Sequence, residues 1–476
     1  MKRKFCLFLV IFSLIQLTAC GDSADDDVTT TSVDTSASES ETGYIPAAID
    51  YDGYTFRLYC VDYNEDYYLM DEETGDIVDD AVFDRNRTVE EQFNIDIEVT
   101  SGDGSWEGRT QFMDFVRGTI MAGEDAYDAV APTYYYGMEM TIEGLFLNIL
   151  DIPSIQLDEP WWCAGYNDNA VLLDKLYGAC GYYSIGACSN MYMLFFNKTI
   201  QEEYNLPSFY DMVRDGSWTH DAFNSVIKDI YVDLNNDGAQ DDGDKYGFIF
   251  QSHGARAFAP SYGVKYIERL PDGSLEITID DEFTFDVYDK IYNMLMKQEY
   301  SHYFSDDNVL LQAFMDGNGL FMANKLSNSI KMRSMDDDFG MIPLPKYDEK
   351  QENYISYMMG DDIYCLPVTI SDHERTGTIL DALNFYSYRD VVPVYCESAL
   401  KSKYARDEDT AEMIELVMES SYYDIGFIYG SLINYIADEF GNNIVLNKNE
   451  NFASAIASKM SGFETKLDEL LEAYSD

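Results

Sequence analysis

Oxygen-bearing side chains recur at regular spacing over residues 233–244, in a pattern that suits a metal ion. They are Asp233, Asn235, Asp237, Asp241 and Asp244, at positions 1, 3, 5, 9 and 12 of a twelve-residue loop. Gly238 is at position 6, and Ala239 at position 7 offers its backbone carbonyl. Ca²⁺ binds about six to eight oxygen ligands, and a loop with a glycine turn at position 6 supplies them at this spacing. The sequence therefore predicts Ca²⁺ as a cofactor, bound by this loop.

The predicted ion has a structural role rather than a catalytic one. The loop is similar to EF-hand and dockerin-type loops, except that Asp244 replaces the final glutamate, so we expect weaker binding. It lies between residues 230–232 and 246–248, and nothing beside it indicates a substrate position. The alternative is an ordinary acidic surface loop, because the chain contains 87 Asp and Glu residues.

No motif in the sequence indicates a catalytic centre. HExxH, GxSxG and Walker motifs are absent, and the four histidines are scattered without the spacing of metal ligands. A glycosidase needs two carboxylates across a cleft, which a count of acidic residues cannot reveal. We predict that the protein is not an enzyme and has no catalytic residues.

The N-terminus has the features of an export signal. Lys2, Arg3 and Lys4 precede an apolar run over residues 5–17, which is too short to span a bilayer. The run ends in Leu17-Thr18-Ala19-Cys20, which resembles the bacterial lipobox, whose cysteine is lipidated and begins the mature chain. The resemblance implies a signal peptide over residues 1–19 and a lipid on Cys20. That lipid would anchor the protein to the extracellular face of the cell membrane.

The charge of the chain excludes some classes of partner. Without residues 1–19 the chain has 28 basic and 87 acidic residues, a formal net charge of −59. Such a charge repels phosphate backbones, so we expect no nucleic-acid binding, and no membrane attachment beyond the lipid. Residues 20–47 are mostly Ser, Thr, Asp and Glu, a composition that predicts a disordered tether.

The cysteines give no zinc pattern. Beyond Cys6 and Cys20, six remain, and Cys180 and Cys188 are the one close pair among them. Export permits a disulfide between them, and buried free thiols are an equal alternative.

The elements that must position a site follow an α/β pattern. Alternating apolar residues over 54–60, 95–99 and 127–131 predict strands, and apolar residues at helical spacing precede the second and third of them. This order predicts a mostly parallel sheet, whose ligands gather beyond the carboxyl ends of the strands. Residues 62–64 and 133–136 should therefore lie at the rim of one cleft. A second α/β pattern begins at residue 191, and residues 456–474 predict a C-terminal helix.

Short motifs spread over the folded part carry a family resemblance. They are Asn197-Lys198, Gly216-Ser217-Trp218-Thr219, Tyr246-Gly247-Phe248, Gly340-Met341-Ile342-Pro343-Leu344-Pro345-Lys346-Tyr347 and Lys403-Tyr404-Ala405-Arg406-Asp407. In this order, and with the lipobox, the chain resembles the extracellular solute-binding lipoproteins of ABC importers, sugar-binding family 1. The resemblance implies an α/β, type II periplasmic-binding-protein fold with two lobes, a hinge and an interlobe ligand cleft. One lobe would comprise residues 48–190 and 353–388, and the other residues 191–352 and 389–476.

The resemblance also implies which residues face the ligand. Matching segments to maltose-type binding proteins points to Asn64, Thr133, Tyr134, Asn190, Arg256, Lys325 and Asp361. This chain differs from the family in residue identity at most of these segments. Aromatic residues make up 15% of the chain and supply rings on which sugars stack. Trp161, Trp162 and Trp218 are expected in packing roles, whereas Trp106 lies in a Gly/Ser-rich loop and is expected to be exposed.

The expected function is solute capture for import. The ligand would be a carbohydrate, most simply an oligosaccharide, and the partners would be the permease subunits of an ABC transporter. We expect a monomer. The alternatives are a surface lipoprotein that captures or senses glycans, and a binder of peptides or other small polar solutes.

Overall fold

The computed structural model describes residues 44–358, 360–399 and 408–475. Cys20, the signal peptide, most of the predicted tether and the motif at residues 403–407 lie outside the described residues. The chain divides into two units, Met1–Ile45 and Pro46–Asp476, and every element below belongs to the second. Within the described residues, no helix has both the length and the apolar character that crossing a bilayer requires.

The elements alternate through most of the chain. The strands are β1 (Tyr54–Val61), β2 (Ile95–Gly102), β3 (Ala129–Ala131), β4 (Tyr192–Asn197), β5 (Tyr231–Val232), β6 (Lys245–Phe250), β7 (Ile267–Arg269), β8 (Leu275–Ile277), β9 (Ser301–Tyr303), β10 (Gly319–Lys325), β11 (Phe339–Ile342), β12 (Ser356–Tyr357) and β13 (Ser421–Tyr422). The longer helices are Ile77–Phe93, Arg109–Met121, His220–Ile227, Ser252–Ser261, Glu282–Met296, Asp307–Met315, His373–Tyr386, Val392–Ala399, Glu408–Glu419 and Met460–Ser475. The shorter helices are Glu65–Tyr68, Tyr134–Gly137, Ala164–Ala170, Gly186–Ser189, Lys198–Glu203, Phe209–Arg214, Asn328–Lys331, Ile425–Ile428, Asp438–Gly441 and Phe452–Ala457.

The first sheet has the predicted strand–helix–strand order. Its strands lie in the order β2-β1-β3 and are parallel, with Leu58 of β1 opposite Val99 and Ala129. The helix between β1 and β2 begins at its N-cap Asp76, which accepts a hydrogen bond from Val78 N, and ends at Asn94 in the left-handed conformation. The prediction of a parallel sheet with helices is confirmed for this part of the chain.

The second sheet is mixed and has an aromatic core. Its strands lie in the order β11-β4-β10-β6-β5, and β9 pairs with β6. β6, β9 and β10 are parallel to one another, whereas β4 runs antiparallel to β10 and β11. Phe196, Phe248 and Phe321 are fully buried along these strands. Trp218 packs against Phe321 and donates from its indole nitrogen to the carbonyl of Pro343 at 3.0 Å.

The chain crosses between the two sheets near Asn190 and Gly360. Met191 and Met358 pair as an isolated antiparallel bridge at this crossing. Beyond it, Asp362 and Cys365 return to the first sheet through bridges to Thr133 and Val130. Both crossing segments therefore run side by side, as a hinge requires.

The C-terminal segment packs against both lobes. The resemblance implies that residues 389–476 belong to the second lobe. The Glu408–Glu419 helix packs on β11, and the Met460–Ser475 helix contacts residues 138–143, where the hydroxyl of Tyr474 donates to Thr141 Oγ1 at 3.2 Å. This contact ties the end of the chain to the region between β3 and the Ala164–Ala170 helix.

Candidate functional site

Strand ends from both sheets meet at a cleft of about 500 Å³. Its lining residues are Tyr63, Asn64, Gly104, Ser105, Trp106, Thr133, Tyr135, Tyr136, Asn190, His253, Arg256, Lys325 and Gly360, and we call it the aromatic cleft. They follow β1, β2, β3, β6 and the end of β10, or lie on the crossing segments. Of the residues 62–64 and 133–136 that were predicted to meet at one cleft, Tyr63, Asn64, Thr133, Tyr135 and Tyr136 line it, whereas Asp62 and Tyr134 do not.

A second cavity of about 810 Å³ adjoins the aromatic cleft. The two share Tyr63, Asn190, His253 and Lys325. A third cavity, of about 860 Å³, lies beside the Glu408–Glu419 helix and shares no residue with the cleft. We place the candidate site in the aromatic cleft because it contains the strand ends and the crossing segments, where α/β folds bind ligands.

Two exposed aromatic side chains give the cleft its apolar surface. Trp106 is 46% exposed and Tyr63 is 55% exposed, although both are large rings. The ring centroid of Trp106 lies 5.8 Å from that of Tyr135 and 6.0 Å from that of Tyr435. Exposed rings in a concave site supply the flat apolar face on which a cyclic ligand packs.

Asn64 is held by a buried carboxylate. Its Nδ2 donates to both oxygens of Asp362, at 3.0 and 2.9 Å, and Tyr68 donates its hydroxyl to the same carboxylate at 2.7 Å. Because Nδ2 faces Asp362, the orientation of the Asn64 amide is fixed. Burial raises the pKa of Asp362 to about 7, and the neighbouring charge of Asp361 also raises it, while the hydrogen bonds from Tyr68 and Asn64 oppose the change.

Asn190 is held in a similar way and links the lobes. Its Nδ2 donates to Asp361 Oδ1 at 3.2 Å, and its Oδ1 accepts from Lys325 Nζ at 2.9 Å. The hydroxyl of Tyr423 donates to the other oxygen of Asp361. Burial raises the pKa of Asp361 to about 6, against the effects of Tyr423, Asn190 and the charge of Lys325. Burial also lowers the pKa of Lys325.

An ion pair crosses the opposite side of the cleft. Arg256 Nη1 lies 3.0 Å from Asp438 Oδ1, and both side chains are about nine-tenths buried. Tyr135, which follows β3, donates its hydroxyl to Asp438 Oδ2. Arg256 therefore connects the second lobe to the C-terminal segment, and Tyr135 connects that segment to the first lobe.

The predicted ligand-facing residues occupy three kinds of position. Asn64, Thr133, Asn190, Arg256 and Lys325 line the aromatic cleft. Asp361 lies behind Asn190 and is fully buried. Tyr134 lies in the core, where its hydroxyl donates to the carbonyl of Met358 at 3.0 Å. Residues 134–137 form a helical turn, in which successive side chains point about 100° apart, so Tyr135 and Tyr136 reach the cleft instead.

The resemblance to maltose-type binding proteins places His253 in a ligand-facing loop, residues 252–262, and Asp362 in a ligand-facing segment, residues 360–362. His253 lines the cleft, whereas Asp362 lies behind Asn64. Asp438 was not assigned to the site. Asp438 gives no local signal, because its contact with Arg256 spans 182 positions of the chain.

The predicted calcium loop fits an ion in part. Gly238 N donates to Asp233 Oδ2 at 2.9 Å, while Asp233 Oδ1 is buried without a hydrogen-bond partner. Asn235 Nδ2 lies 3.2 Å from Asp237 Oδ2 and 3.1 Å from Asp241 Oδ2, so these side chains converge. Asp244, however, accepts from Leu234 N and the Tyr231 hydroxyl. Within the described residues, no group of three or more His, Cys, Asp and Glu side chains is arranged to hold a metal ion.

The described cysteines do not pair. Cys60, Cys163, Cys180, Cys188, Cys365 and Cys396 are free thiols, and all but Cys396 are buried. Of the alternatives for Cys180 and Cys188, the structure has the buried thiols.

Comparison with solved structures identifies the fold. The chain is similar to an ABC substrate-binding protein from Listeria monocytogenes solved in complex with cycloalternan, with 12% identity, 88% of this chain and 100% of that chain covered, and a TM-score of 0.55. It is similar to the GacH receptor of Streptomyces glaucescens, solved unliganded and with acarbose, at 10% identity, 88% and 99% coverage and a TM-score of 0.56. It is also similar to apo RafE from Streptococcus pneumoniae, at 15% identity, 84% and 96% coverage and a TM-score of 0.53.

Comparisons by sequence add nothing to this result. No family model matches the chain, and no curated protein matches it. The identities above are low, so the structural similarity establishes architecture. The expectation of a type II periplasmic-binding-protein fold is confirmed: the chain has the two-lobed α/β fold of ABC-transporter substrate-binding proteins.

Proposed function

We propose that the protein is the extracellular solute-binding component of an ABC importer and that it binds a carbohydrate in the aromatic cleft. One observation carries the proposal. The exposed rings of Tyr63 and Trp106 share the cleft with the amides of Asn64 and Asn190, each held by a buried carboxylate. A sugar needs both an apolar surface for its ring and fixed polar groups for its hydroxyls. Similar folds solved with cycloalternan and acarbose support this ligand class.

The composition of the cleft favours binding over hydrolysis. Among the described residues that line the aromatic cleft, none is Asp or Glu. A glycosidase needs two carboxylates that face the scissile bond. Asp361 and Asp362 are instead turned into the protein, where asparagine and tyrosine side chains hold them.

A thermal-shift screen of mono- and oligosaccharides tests the binding proposal. A ligand that binds the folded state alone raises the apparent stability, by about 2.7 kcal/mol at a hundredfold excess over its Kd. We expect at least one oligosaccharide to raise the melting temperature without being hydrolysed. Turnover of the sugar at enzyme-like rates would contradict the proposal, and so would a shift with peptides in the absence of any shift with sugars.

We propose further that a lipid on Cys20 holds the protein at the extracellular face of the membrane. The support is the lipobox-like Leu17-Thr18-Ala19-Cys20 after the apolar run. The full chain should partition with membranes, and Cys20→Ser should release it. A Cys20→Ser protein that stays with the membrane would contradict the anchor.

We also propose that the loop at residues 233–244 binds Ca²⁺ as a structural clip. When bound, the ion would be held by Asp233, Asn235, Asp237, Asp241, Asp244 and the Ala239 carbonyl, and it would neutralise their mutual repulsion. Removal of Ca²⁺ with a chelator should lower the melting temperature and leave sugar affinity unchanged. Asp241→Asn should abolish that effect, whereas Asp272→Asn, in another exposed turn, should preserve it. A melting curve that does not respond to the chelator would contradict the clip.

A further inference from the structure

The lining of the aromatic cleft differs in charge from the rest of the chain. The sequence has 87 acidic residues against 31 basic ones, yet the described lining residues include Arg256 and Lys325 and no carboxylate. Asp438 lies at ion-pair distance from Arg256, and the charges of Asp361 and Asp307 act on Lys325. Asp438 and Asp361 each accept a tyrosine hydroxyl, and none of the three lines the cleft. The groups that line the aromatic cleft are therefore cationic or neutral, whereas Asp76, Asp79 and Asp307 line the adjoining cavity, which shares Lys325 and His253.

Lys325 keeps donors available for a ligand. An ammonium group has three N–H donors, and the described hydrogen bond of Lys325 Nζ goes to Asn190 Oδ1 at 2.9 Å. Within the described residues, no carboxylate lies at ion-pair distance from Nζ. Burial lowers the pKa of Lys325, while the charges of Asp361 and Asp307 oppose that change. A partly buried cation of this kind gains stability from an anion that approaches through the cleft.

Arg256 is also incompletely satisfied. Its Nη1 is 3.0 Å from Asp438 Oδ1, which is within ion-pair distance. Asp438 Oδ1 nevertheless has no hydrogen-bond partner, so this contact is an ion pair without a hydrogen bond. Arg256 Nε is buried and has no partner either. A guanidinium group offers five donors in a planar fork that matches a carboxylate.

The pKa of His253 is lowered to about 3, mainly by burial and in part by the positive charges of Arg256 and Lys325. Its ring is therefore neutral at pH 7, and its Nδ1 has no hydrogen-bond partner. His253 lies in the first turn of the ten-residue Ser252–Ser261 helix, whose N-terminal dipole adds further positive potential.

We propose that the ligand of the aromatic cleft is an acidic saccharide, one whose sugar ring carries a carboxylate, as in a uronic acid. The ring packs against the exposed aromatic side chains, and the carboxylate lies between Lys325 and Arg256. The inference rests on the proposed carbohydrate-binding function and narrows it to one substrate class.

Saccharides that are matched in shape but differ in charge show how much the carboxylate contributes to affinity. Uronic acid trimers, their methyl esters and the corresponding neutral trimers are compared on the full-length protein in detergent, first by thermal shift and then by calorimetry. A free carboxylate should bind at least about tenfold more tightly than its ester, as expected for a hydrogen bond to a charged group. The preference should shrink as salt is raised.

Variants of Lys325 test whether this side chain causes the preference for the free acid over its methyl ester. Lys325→Met should reduce the acid-to-ester preference to less than about threefold, and Lys325→Arg should retain most of it. Lys265→Met removes the same charge at an exposed site paired with Glu268, and it should leave the preference unchanged. Melting curves without ligand show whether each variant folds.

Each remaining outcome overturns a specific statement. Esters or neutral trimers that bind as tightly as the acids overturn the acidic-saccharide inference and leave the carbohydrate-binding function standing. Binding of a sulfated neutral trimer in place of the uronic acids overturns the assignment to a carboxylate. An absence of binding by every saccharide overturns the carbohydrate-binding function itself, and this inference with it.

Discussion

Asp361 and Asp362 influence the cleft through two asparagine side chains. Each carboxylate is fully or almost fully buried and accepts an amide N–H from a residue that lines the cleft. Because a carboxylate only accepts when ionised, each amide must turn its NH₂ group inward. The ligand therefore meets asparagine side chains whose orientation is fixed before binding, which reduces the entropy lost on association.

The pKa of Asp362 predicts how stability depends on pH. Burial raises it to about 7 and that of Asp361 to about 6, so these two carboxyl groups bind more protons in the folded protein than in the unfolded chain between roughly pH 4 and 7. Their contribution to stability is then greatest at the acidic end of this window and falls as the pH rises through it. Asp362→Asn should flatten the fall by at most about 1.4 kcal/mol per pH unit. Denaturant unfolding from pH 5 to 8 measures the slope, and Asp96→Asn, exposed on β2, should keep the wild-type slope.

Trp106 should contribute to affinity rather than to stability. Its ring contacts Arg109, Tyr135 and Tyr435, but its side chain is still 46% exposed in the cleft, so Trp106→Ala removes apolar surface that a ligand would cover. We expect a loss of about 1–3 kcal/mol in sugar binding and a change in unfolding free energy of less than about 1 kcal/mol. Phe115→Ala is the control, since Phe115 is 45% exposed but lies outside the cleft. Equal affinity losses in the two variants would contradict a stacking role.

At the scale of elements, Arg85 fixes the Ile77–Phe93 helix to the segment that carries Asn64. Its guanidinium is buried in the Ile77–Phe93 helix and donates to the carbonyls of Tyr67, Tyr68 and Tyr183. Burial lowers the pKa of Arg85 to about 10, so it stays charged at pH 7. Residues 65–68 follow directly after Asn64, and the same helix thus supports one wall of the cleft.

Replacing Arg85 should destabilise the fold strongly. Arg85→Met removes a donor from each of three carbonyls, although Tyr68 O still accepts from Asn86 Nδ2 and Tyr183 O from Ser387 Oγ. Each buried polar group left unsatisfied costs about 1–3 kcal/mol. We expect the free energy of unfolding to fall by about 3–5 kcal/mol, with a further loss of sugar affinity in the protein that remains folded. Arg87→Met on the exposed face, where Arg87 pairs with Glu91, should cost less than about 0.5 kcal/mol. Urea unfolding distinguishes the two, and similar losses in both variants would contradict this role for Arg85.

Prediction from sequence succeeds where a signal is local. Alternation and helical spacing predict β1, β2 and β3 with their helices, because burial of one face imposes a period on the sequence. The convergence of residues 62–64 and 133–136 follows from the rule for parallel strands. The prediction that Tyr134 rather than Tyr135 faces the ligand is not supported by the cleft. The sequence does not reveal the short helical turn at residues 134–137, which decides which side chain points into the cleft. The Arg256–Asp438 pair depends on how the short Asp438–Gly441 helix packs, and the sequence around that helix carries no period.

At the scale of the whole molecule, ligand capture by closure requires the crossing segments to bend. The lobes contact each other through Lys325 and Asn190 on one side of the cleft and through Arg256, Asp438 and Tyr135 on the other. Gly360 lies on a crossing segment with a φ of +85°, a conformation that other residues adopt with strain. A substitution at Gly360 can therefore change the backbone conformation of the crossing segment, and with it the closure of the lobes, without removing any side chain.

Gly360→Ala should change closure, and Gly75→Ala should not. Both glycines have a φ of +85° and nothing within 4 Å of an added Cβ, so each substitution should cost about 1 kcal/mol of stability through backbone strain. Only Gly360 lies at the crossing, so only Gly360→Ala should weaken sugar affinity and reduce the compaction that ligand causes. Small-angle scattering with and without a sugar from the thermal-shift screen measures that compaction. Compaction by ligand that is identical in wild type and Gly360→Ala would show that closure does not depend on this crossing segment.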